Sequence, residues 1–519
     1  MAFPVATNLG NMIAARPDDH PWLIEVTPGG VAGKSAGERV FSYGDLRAQA
    51  AAVGRALQAR GLARGARIGM LGGNSAEYVI TYFGIMQAGY CPVPMGIKLA
   101  RDTIEHILAD AGVELLYVDA EWGARLAAAE TVGTTEFPAS SVAQLPLDDR
   151  KAWQAHLDPG ELPVSEQDKG DFATILYTSG STGVPKGVPL THGGYIWTLQ
   201  QVAVNGGNFM HDNAARVLAA APLSHMNALI MSKMVTAYGG TLVLMTHFSA
   251  RGYLQAIADH QCAIITCVPT MLALCAREVD AVATLDLNSV RIVAMGSSPV
   301  TDALFEQVGA MFPNAIVSNG WGTTETGPAV FGPHPAGLAR PALSLGHPLP
   351  GVDVRLEGGP SADQGELLVR NGAIMPGYLN REAQTRQRIV DGWYRTGDVM
   401  RRDTHGFYFF VGRVDDMFVC GGENVYPGEV EVLLERHPGV AQAAVVPVPD
   451  EIKGQIPAAF IVRKPGSTVS EADIKAFALA NGPAYQHPRF VRFVDAFELS
   501  AANKIDKKRI AQLAAGLSR

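Results

Sequence analysis

The stretch of small polar residues at positions 177–187 constrains this chain most. It reads Tyr-Thr-Ser-Gly-Ser-Thr-Gly-Val-Pro-Lys-Gly and follows an apolar segment, 173–177, that predicts a buried strand. Glycine adopts positive φ at little cost, so backbone N–H groups here can turn towards an anion. The hydroxyl side chains add donors, and Lys186 adds a positive charge. The sequence therefore predicts a loop that holds a polyphosphate.

Two other interpretations of this loop fit less well. A Walker A loop ends in Gly-Lys-Ser/Thr, whereas here Pro185 precedes Lys186 and Gly187 follows it. A flexible surface linker is also rich in Gly, Ser and Thr. A linker is the weaker interpretation, because a predicted strand precedes the loop and Pro-Lys-Gly is embedded in it.

Composition excludes several kinds of protein. A chain of 519 residues exceeds one typical core, so we expect at least two domains. A net charge of −8 offers no basic face for nucleic acid. The five cysteines are scattered, which argues against a disulfide framework or a zinc site and predicts buried thiols. With no recognisable signal peptide or transmembrane run, we expect a cytoplasmic protein.

Strand and helix patterns alternate between residues 40 and 120. Ser42 is a predicted N-cap, and apolar residues recur after it at helical spacing. Such alternation predicts βαβ units and a mostly parallel sheet, with ligands at the carboxyl ends of the strands. Residues 121–170 are weakly patterned, and we expect surface structure and loops there. The predicted elements in the first part are strands 66–71, 91–95 and 113–118 and a helix over 75–88.

Further motifs lie along the rest of the chain. They are Pro222-Leu223-Ser224-His225, Gly296-Ser297-Ser298-Pro299, Gly320-Trp321-Gly322-Thr323-Thr324-Glu325, Gly392-Trp393-Tyr394-Arg395-Thr396-Gly397-Asp398, Gly412-Arg413-Val414-Asp415-Asp416, Gly421-Gly422-Glu423-Asn424 and Asn503-Lys504.

In this order, the loop and these motifs resemble those of the adenylate-forming superfamily, especially its acyl- and aryl-CoA synthetases. The resemblance covers nearly the whole chain. It implies an α/β fold whose large N-terminal domain, residues 1–414, has doubly wound mixed and parallel sheets and a small β-barrel-like part. A small mobile α+β domain, residues 415–519, would follow a hinge at Asp415. Gln486 departs from the family pattern, which usually has Lys there.

The resemblance implies a nucleotide site assembled from several motifs. The Trp321 ring replaces a usual Tyr, and either ring can stack on a purine. Asp398 would accept hydrogen bonds from the ribose hydroxyls, and Arg413 would contact ribose or phosphate. Glu325 and Thr178 would hold Mg²⁺, which needs few protein carboxylates beside phosphate oxygens. The residues expected to bind ATP or AMP are Thr178, Ser179, Gly180, Ser181, Thr182, Gly183, Lys186, Gly296, Ser297, Ser298, Asn319, Gly320, Trp321, Gly322, Thr323, Thr324, Asp398, Arg413 and Lys504.

The same resemblance implies catalytic and substrate-binding residues. Lys504 would bridge the carboxylate substrate and the α-phosphate and stabilise developing negative charge; by itself it also fits a solvated basic end. His225 would lie beside the carboxylate, while Thr178 and Glu325 complete the catalytic set. CoA would contact Gly421, Gly422 and His247, although His247 equally fits a surface histidine at a strand end. The predicted acyl pocket consists of His225, Met226, Asn227, Met231, Gly320, Gly322 and Gly327.

The predicted activity is an ATP-dependent carboxylate–CoA ligase. A carboxylic acid and ATP would give acyl-AMP and pyrophosphate, and CoA would then give the thioester and AMP. The methionines after His225 favour an aromatic or medium-chain acid, because methionine forms adaptable apolar walls. Three alternatives stay open: an enzyme that loads a carrier protein, a luciferase-like oxygenase, and a non-catalytic acyl or nucleotide binder. A homodimer is expected from the family alone.

Overall fold

The computed structural model describes residues 6–29, 35–128, 142–163, 165–178, 184–205, 215–297, 300–499 and 505–517. The strands are β1 (Pro21–Pro28), β2 (Ser35–Ser42), β3 (Arg67–Leu71), β4 (Cys91–Met95), β5 (Val113–Val118), β6 (Ala143–Pro146), β7 (Phe172–Thr178), β8 (Lys186–Thr191), β9 (Arg216–Ala219), β10 (Thr241–Met245), β11 (Ile264–Cys267), β12 (Ile292–Gly296), β13 (Ile316–Gly320), β14 (Phe331–Gly332), β15 (His347–Pro348), β16 (Asp353–Ser361), β17 (Gln364–Arg370), β18 (Ile389–Val390), β19 (Trp393–Arg402), β20 (Tyr408–Arg413), β21 (Phe418–Cys420), β22 (Glu423–Val425), β23 (Val440–Asp450), β24 (Gly454–Arg463) and β25 (Phe490–Phe493).

The described residues contain the following helices, and the helix predicted over 75–88 is observed as Ala76–Gln87. They are α1 (Tyr43–Gln58), α2 (Ala76–Gln87), α3 (Arg101–Ala111), α4 (Ala120–Ala127), α5 (Arg150–Ala155), α6 (His192–Asn205), α7 (Met226–Tyr238), α8 (Ala250–His260), α9 (Pro269–Cys275), α10 (Val279–Thr284), α11 (Asp302–Met311), α12 (Glu382–Arg388), α13 (Pro427–Glu435), α14 (Glu471–Asn481) and α15 (Lys507–Ala514). Helix α1 begins with a capping box, in which Ser42 and Asp45 each bond to the other's backbone N–H. The predicted N-cap at Ser42 is therefore confirmed.

Parallel strands dominate the large N-terminal part. One sheet has the order β13-β12-β11-β9-β10-β1-β2, in which every neighbouring pair is parallel except β1 and β2. A second sheet, β4-β3-β5-β6, is parallel throughout. Every residue of α2 is buried, as expected for a helix that packs on all sides. The predicted βαβ units are confirmed.

The prediction of surface structure and loops for residues 121–170 is wrong in part. Strand β6 lies in this range and pairs in parallel with β5, and helices α4 and α5 flank it. Trp122, Leu126 and Trp153 anchor these short helices, since each side chain is at most 3% exposed. A few buried aromatic and aliphatic side chains thus stabilise elements whose local pattern is weak.

Antiparallel strands form the rest of the molecule. The sheet β16-β17-β19-β18, with β20 beside β19, provides the small β-rich part, and β14 pairs with β15. The C-terminal part has the sheet β22-β21-β24-β23, with β25 beside β24, and a separate apolar core. This architecture confirms the predicted fold class, while the division at Asp415 stays a prediction.

The sequence predicted buried cysteine thiols and no membrane-spanning segment. All five cysteines are buried and free of disulfides, as predicted. In the described ranges, no helix has the length and apolar character needed to cross a bilayer.

Candidate active site

The carboxyl ends of the parallel strands bring several predicted residues to one edge of the sheet. Gly296 ends β12 and Gly320 ends β13, and the two residues are direct neighbours in the register. A Cβ atom at Gly296 would lie 3.0 Å from the Gly320 carbonyl oxygen, so a side chain there would push the neighbouring strand away and glycine suits this close approach. Ser297 then adopts a positive φ of 72°. The predicted adenine turn and the Trp321 motif therefore lie side by side, while Ser298 lies outside the described residues.

The predicted phosphate loop closes an antiparallel hairpin. Thr178 ends β7 and Lys186 begins β8, and their Cα atoms are partners in the register. Residues 179–183, which contain the predicted contacts of Ser179, Gly180, Ser181, Thr182 and Gly183, lie outside the described part of the chain. The second strand of the hairpin precedes α6, so the loop does not lead directly into a helix as in a Walker A loop.

Tyr378 joins the phosphate hairpin to Glu325. The Lys186 ammonium lies 5.4 Å from the centroid of the Tyr378 ring. The Tyr378 hydroxyl donates to Glu325 Oε1 at 2.9 Å and lies 3.2 Å from the Tyr394 hydroxyl. Burial raises the pKa of Tyr378, and the Glu325 carboxylate adds to the shift, so this hydroxyl stays protonated. Tyr378 was not predicted from the sequence, because it lies in none of the motifs identified there.

Hydrogen bonds from residues 371–379 hold both the phosphate hairpin and the turn that contains Glu325. The Met375 N–H donates to the Glu325 carbonyl at 2.9 Å, and the Leu379 N–H donates to the Gly187 carbonyl at 2.9 Å. The Asn371 side chain donates to the Thr326 carbonyl at 3.1 Å. We call residues 371–379 the bridging segment, because it fixes the phosphate hairpin relative to the Thr-Glu turn.

A second cluster surrounds Asp398. The Trp321 Nε1–H donates to Asp398 Oδ2 at 2.8 Å, and Arg413 donates to Oδ1 at 2.8 Å. Asp398 and Arg413 are partners in the register of β19 and β20, so the pairing of these strands sets their contact. Burial raises the pKa of Asp398, although Arg413 and Trp321 oppose this shift. The structure therefore brings together three of the residues predicted to bind the nucleoside.

The turn around Glu325 leaves little space for side chains at its glycines. A Cβ atom at Gly322 would lie 2.8 Å from the Gly327 carbonyl oxygen, and Gly327 itself has a φ of 70°. Thr323 and Thr326 bond to each other's backbone N–H groups in the same turn. Gly322 and Gly327 are therefore needed by the turn itself, whether or not they also leave room for an acyl group. Thr324 and Glu325 lie at the half-exposed tip of this turn.

His225 is the N-cap residue of α7 and is half-exposed. The Asn74 side chain fixes the turn before it, because its amide accepts from Leu223 N–H at 2.8 Å and donates to the Ala221 carbonyl at 3.0 Å. Asn227 accepts from the Thr266 hydroxyl at 2.8 Å. Met226 contacts the Tyr195 hydroxyl through its sulfur, at 3.6 Å. Sequence reasoning missed Asn74, which lies far from His225 along the chain.

The predicted CoA contacts and hinge are spread over exposed positions. Gly421 and Gly422 form the exposed turn between β21 and β22, with φ values of 62° and 93°. His247 is also exposed and lies two residues after β10. The Asp415 carboxylate lies 3.5 Å from Arg388 and 3.9 Å from Arg413. Lys504 lies outside the described residues, so its predicted role stays a prediction, as do those of the glycine turn and hinge.

The chain matches a known protein family and is similar to individual proteins of known name. Residues 13–379 match the AMP-binding enzyme family, and residues 429–504 match the C-terminal domain of AMP-binding enzymes. The chain is 33% identical over 480 residues to a feruloyl-CoA synthase of an Amycolatopsis species, covering 91% of this chain and 94% of that protein. It is 32% identical over 482 residues to the fatty acid–[acyl-carrier-protein] ligase ScoC of Streptomyces coeruleorubidus, covering 91% of each.

Among solved structures, the anthranilate CoA ligase AuaEII in complex with anthranoyl-AMP is similar, with a TM-score of 0.84. The match has 26% identity and covers 99% of this chain and 98% of that one. Fold and sequence together define an adenylate-forming ligase. The chain belongs to the AMP-binding enzyme family, which confirms the resemblance found in its motifs.

Proposed function

We propose that this enzyme is an ATP-dependent carboxylate–CoA ligase that acts through an acyl-AMP intermediate. One observation carries the proposal: Lys186, Tyr378 and Glu325 form one polar cluster, and Asp398 with Trp321 and Arg413 forms a second, close enough for the Glu325 charge to act on Asp398. The first has the charges that a triphosphate needs, and the second has the acceptors that a ribose needs. The CoA ligases among the relatives support the choice of reaction.

In the first step, a carboxylate oxygen of the acid attacks the α-phosphorus of ATP, and pyrophosphate leaves. Lys186 and the phosphate loop would hold the polyphosphate, while Asp398 would accept from the ribose hydroxyls through its remaining lone pairs. Lys504 would stabilise the charge that builds on the α-phosphate. The protein contributes position and charge, as in other phosphoryl transfers.

The residues present fit a magnesium ion. The half-exposed Glu325 carboxylate adjoins the phosphate hairpin through Tyr378, and Mg²⁺ accepts one or two carboxylates when phosphate oxygens complete its shell. Glu325 and the Thr178 hydroxyl would hold the ion. When bound, it would offset negative charge on the phosphate oxygens and assist departure of pyrophosphate.

In the second step, the CoA thiol loses its proton and attacks the acyl carbon, and AMP leaves. The C-terminal domain would turn about Asp415 and bring Gly421 and Gly422 towards the pantetheine arm. His225 and the residues after it would line the acyl pocket. An aromatic or medium-chain acid is the proposed substrate, a choice that the feruloyl-CoA synthase among the relatives supports.

The direct test measures AMP release with ATP and Mg²⁺ over a panel of aromatic, medium-chain and short acids, each with and without CoA. Release that requires one class of acid and also CoA supports the proposal and names the substrate class. Exchange of pyrophosphate that depends on the acid but gives no CoA-dependent turnover indicates another acceptor. Absence of AMP formation with every acid would contradict adenylation altogether.

The role of Lys504 has its own test. Lys504→Ala should suppress formation of acyl-AMP far more than thioester formation from supplied acyl-AMP, because only the first step builds charge on the α-phosphate. Lys508→Ala is the matched control, since it removes another lysine of the same basic end. An equal loss in both half-reactions would contradict the assignment.

A carrier-protein ligase is the second candidate function. Its support is the 32% identity to ScoC, whose name states that it loads a fatty acid onto an acyl carrier protein. Both functions share the first half-reaction and differ in the thiol that accepts the acyl group. Supplying purified acyl-AMP with either CoA or a phosphopantetheinylated carrier protein separates them.

A further inference from the structure

Lys233 is a buried lysine that the proposed reaction does not use. It lies on α7 and is 1% exposed. Its ammonium lies 4.5 Å from the centroid of the Tyr82 ring and 4.4 Å from that of Tyr195, and it donates weakly to the Leu229 carbonyl at 3.4 Å. Burial lowers its pKa well below the ordinary value. Among the described residues, no carboxylate lies within ion-pair distance.

The Tyr82 hydroxyl beside Lys233 is a second polar group with few hydrogen bonds. It is buried, and no group in the described part of the chain lies at normal hydrogen-bond geometry to it. The neighbouring Thr174 hydroxyl donates its own hydrogen to the Pro92 carbonyl at 2.9 Å and can only accept from Tyr82. Buried polar groups nearly always have partners in native proteins, so an exception indicates a missing one. The Lys233 amine, with one weak hydrogen bond, and the Tyr82 hydroxyl can therefore each take a further oxygen partner.

Lys233 lies on the same helix as residues of the proposed acyl pocket. Met226 and Lys233 are seven residues apart on α7 and share a face of the helix. Both contact Tyr195, Met226 through the hydroxyl and Lys233 through the ring. A rise of 1.5 Å per residue puts Lys233 about 12 Å along the helix axis from His225. An acid that reacts beside His225 would extend its distal end along this face.

We propose that Lys233 and Tyr82 form the inner end of the acyl pocket and bind an oxygen substituent at the distal end of an aromatic acid. This inference rests on the proposed function, because the reacting carboxylate is placed beside His225. A lysine amine and a tyrosine hydroxyl can both bond to a distal hydroxyl or to a second carboxylate. The bound oxygen would replace part of the ring contact of Lys233, while the Tyr82 and Tyr195 rings remain an aromatic wall.

The test compares three acids with one carbon skeleton: 3-phenylpropenoate and its 4-hydroxy and 4-carboxy derivatives. The readout is kcat/KM for AMP release with ATP, Mg²⁺ and CoA. The native enzyme should prefer one oxygen-bearing acid about tenfold or more, the value of a hydrogen bond in a buried site. Lys233→Met should abolish that preference and keep activity on the unsubstituted acid. The hydroxy and carboxy arms show whether the favoured group is neutral or anionic.

Two further variants separate binding from structure. Tyr82→Phe removes only the unpartnered hydroxyl and should reduce the preference without lowering Tm. Lys233→Met should also keep or raise Tm, since an apolar chain of similar length replaces a buried amine. Val235→Ala, at a buried position of the same helix outside the predicted acyl pocket, is the matched control and should leave the preference unchanged.

Three outcomes would overturn the subsite. One is a native enzyme that uses the three acids equally. The second is a Lys233→Met variant that loses Tm and loses activity on all three acids in equal proportion, which indicates a structural lysine. The third is turnover with other acids of the wider panel but with none of these three. Absence of AMP release with every acid would instead contradict the proposed function.

Discussion

Replacing Tyr378 with phenylalanine should slow adenylate formation without unfolding the enzyme. The Tyr378 hydroxyl donates to Glu325 at 2.9 Å, and the ring lies under the Lys186 ammonium at 5.4 Å. Phenylalanine keeps the ring and its contact with Lys186. The substitution therefore removes one hydrogen bond to the carboxylate that we propose holds the metal ion.

The expected size of the effect follows from that bond. A hydrogen bond to a charged group is worth about 1.5–3 kcal/mol, and each 1.36 kcal/mol changes a rate tenfold. If the bond orients Glu325 in the transition state, kcat/KM for adenylation should fall roughly 10- to 100-fold. The Tyr394 hydroxyl, 3.2 Å away, loses a partner as well, so the free energy of unfolding should fall by about 1 kcal/mol.

The assay is acid-dependent exchange of pyrophosphate into ATP, which reports the first step alone. Tyr394→Phe is the matched control, because its hydroxyl contacts that of Tyr378 and not Glu325. We expect that variant to stay within about threefold of the native rate, the effect of a weak neutral bond. Two results would refute the idea that Tyr378 orients Glu325. One is a Tyr378→Phe variant that exchanges pyrophosphate at the native rate, and the other is an equal loss of exchange rate in both variants.

Three other changes test the fold and the turn beside the proposed adenine site. Arg39→Met should lower the free energy of unfolding in urea by about 3 kcal/mol, because Arg39 is 2.6 Å from both Glu25 and Glu77, which are buried; an unchanged midpoint would contradict this. Burial lowers the pKa of His192 to about 4 from 6.5, so its contribution, about 3 kcal/mol, is present above pH 6.5 and lost as pH falls towards 4. Thermal unfolding of His192→Asn should therefore depend less on pH across this window than that of the native protein, and parallel pH profiles would contradict the assignment. Ser297→Gly should raise stability by about 1 kcal/mol, since Ser297 has a φ of 72°, and a lower Tm would show that its side chain makes a stabilising contact.

Local sequence patterns predicted the elements whose signals are short-range. Ser42 as an N-cap and the buried strand Val113–Val118 needed only neighbouring residues. Strand β1 was not predicted, since its parallel partner β10 comes more than two hundred residues later. Propensity and periodicity carry no information on such pairings. The same limit explains β6, whose parallel partner β5 was visible while its own pattern was not.

Motifs located the parts of the candidate site but not the contacts between them. Trp321, Asp398 and Arg413 were each singled out, yet their mutual hydrogen bonds depend on the pairing of β19 with β20. Tyr378 carries no sequence signal, because a tyrosine after glycine in a β-like segment has many possible roles. From the sequence alone, Lys233 would be expected to be a solvent-exposed residue of α7. Only its packing against Tyr82 and Tyr195 shows that it is buried.

The two proposed half-reactions depend on the structure in different ways. Among the described residues proposed for adenylation, Glu325 is fixed by a backbone bond from the bridging segment, and both oxygens of Asp398 accept hydrogen bonds from Trp321 and Arg413. Preorganised donors and charges are what an electrostatically driven step requires. The proposed thiol contacts, Gly421 and Gly422, lie instead on an exposed turn of the C-terminal part. Under the proposed mechanism, CoA and a carrier protein would be distinguished only after acyl-AMP has formed, so acceptor specificity is best measured with supplied acyl-AMP.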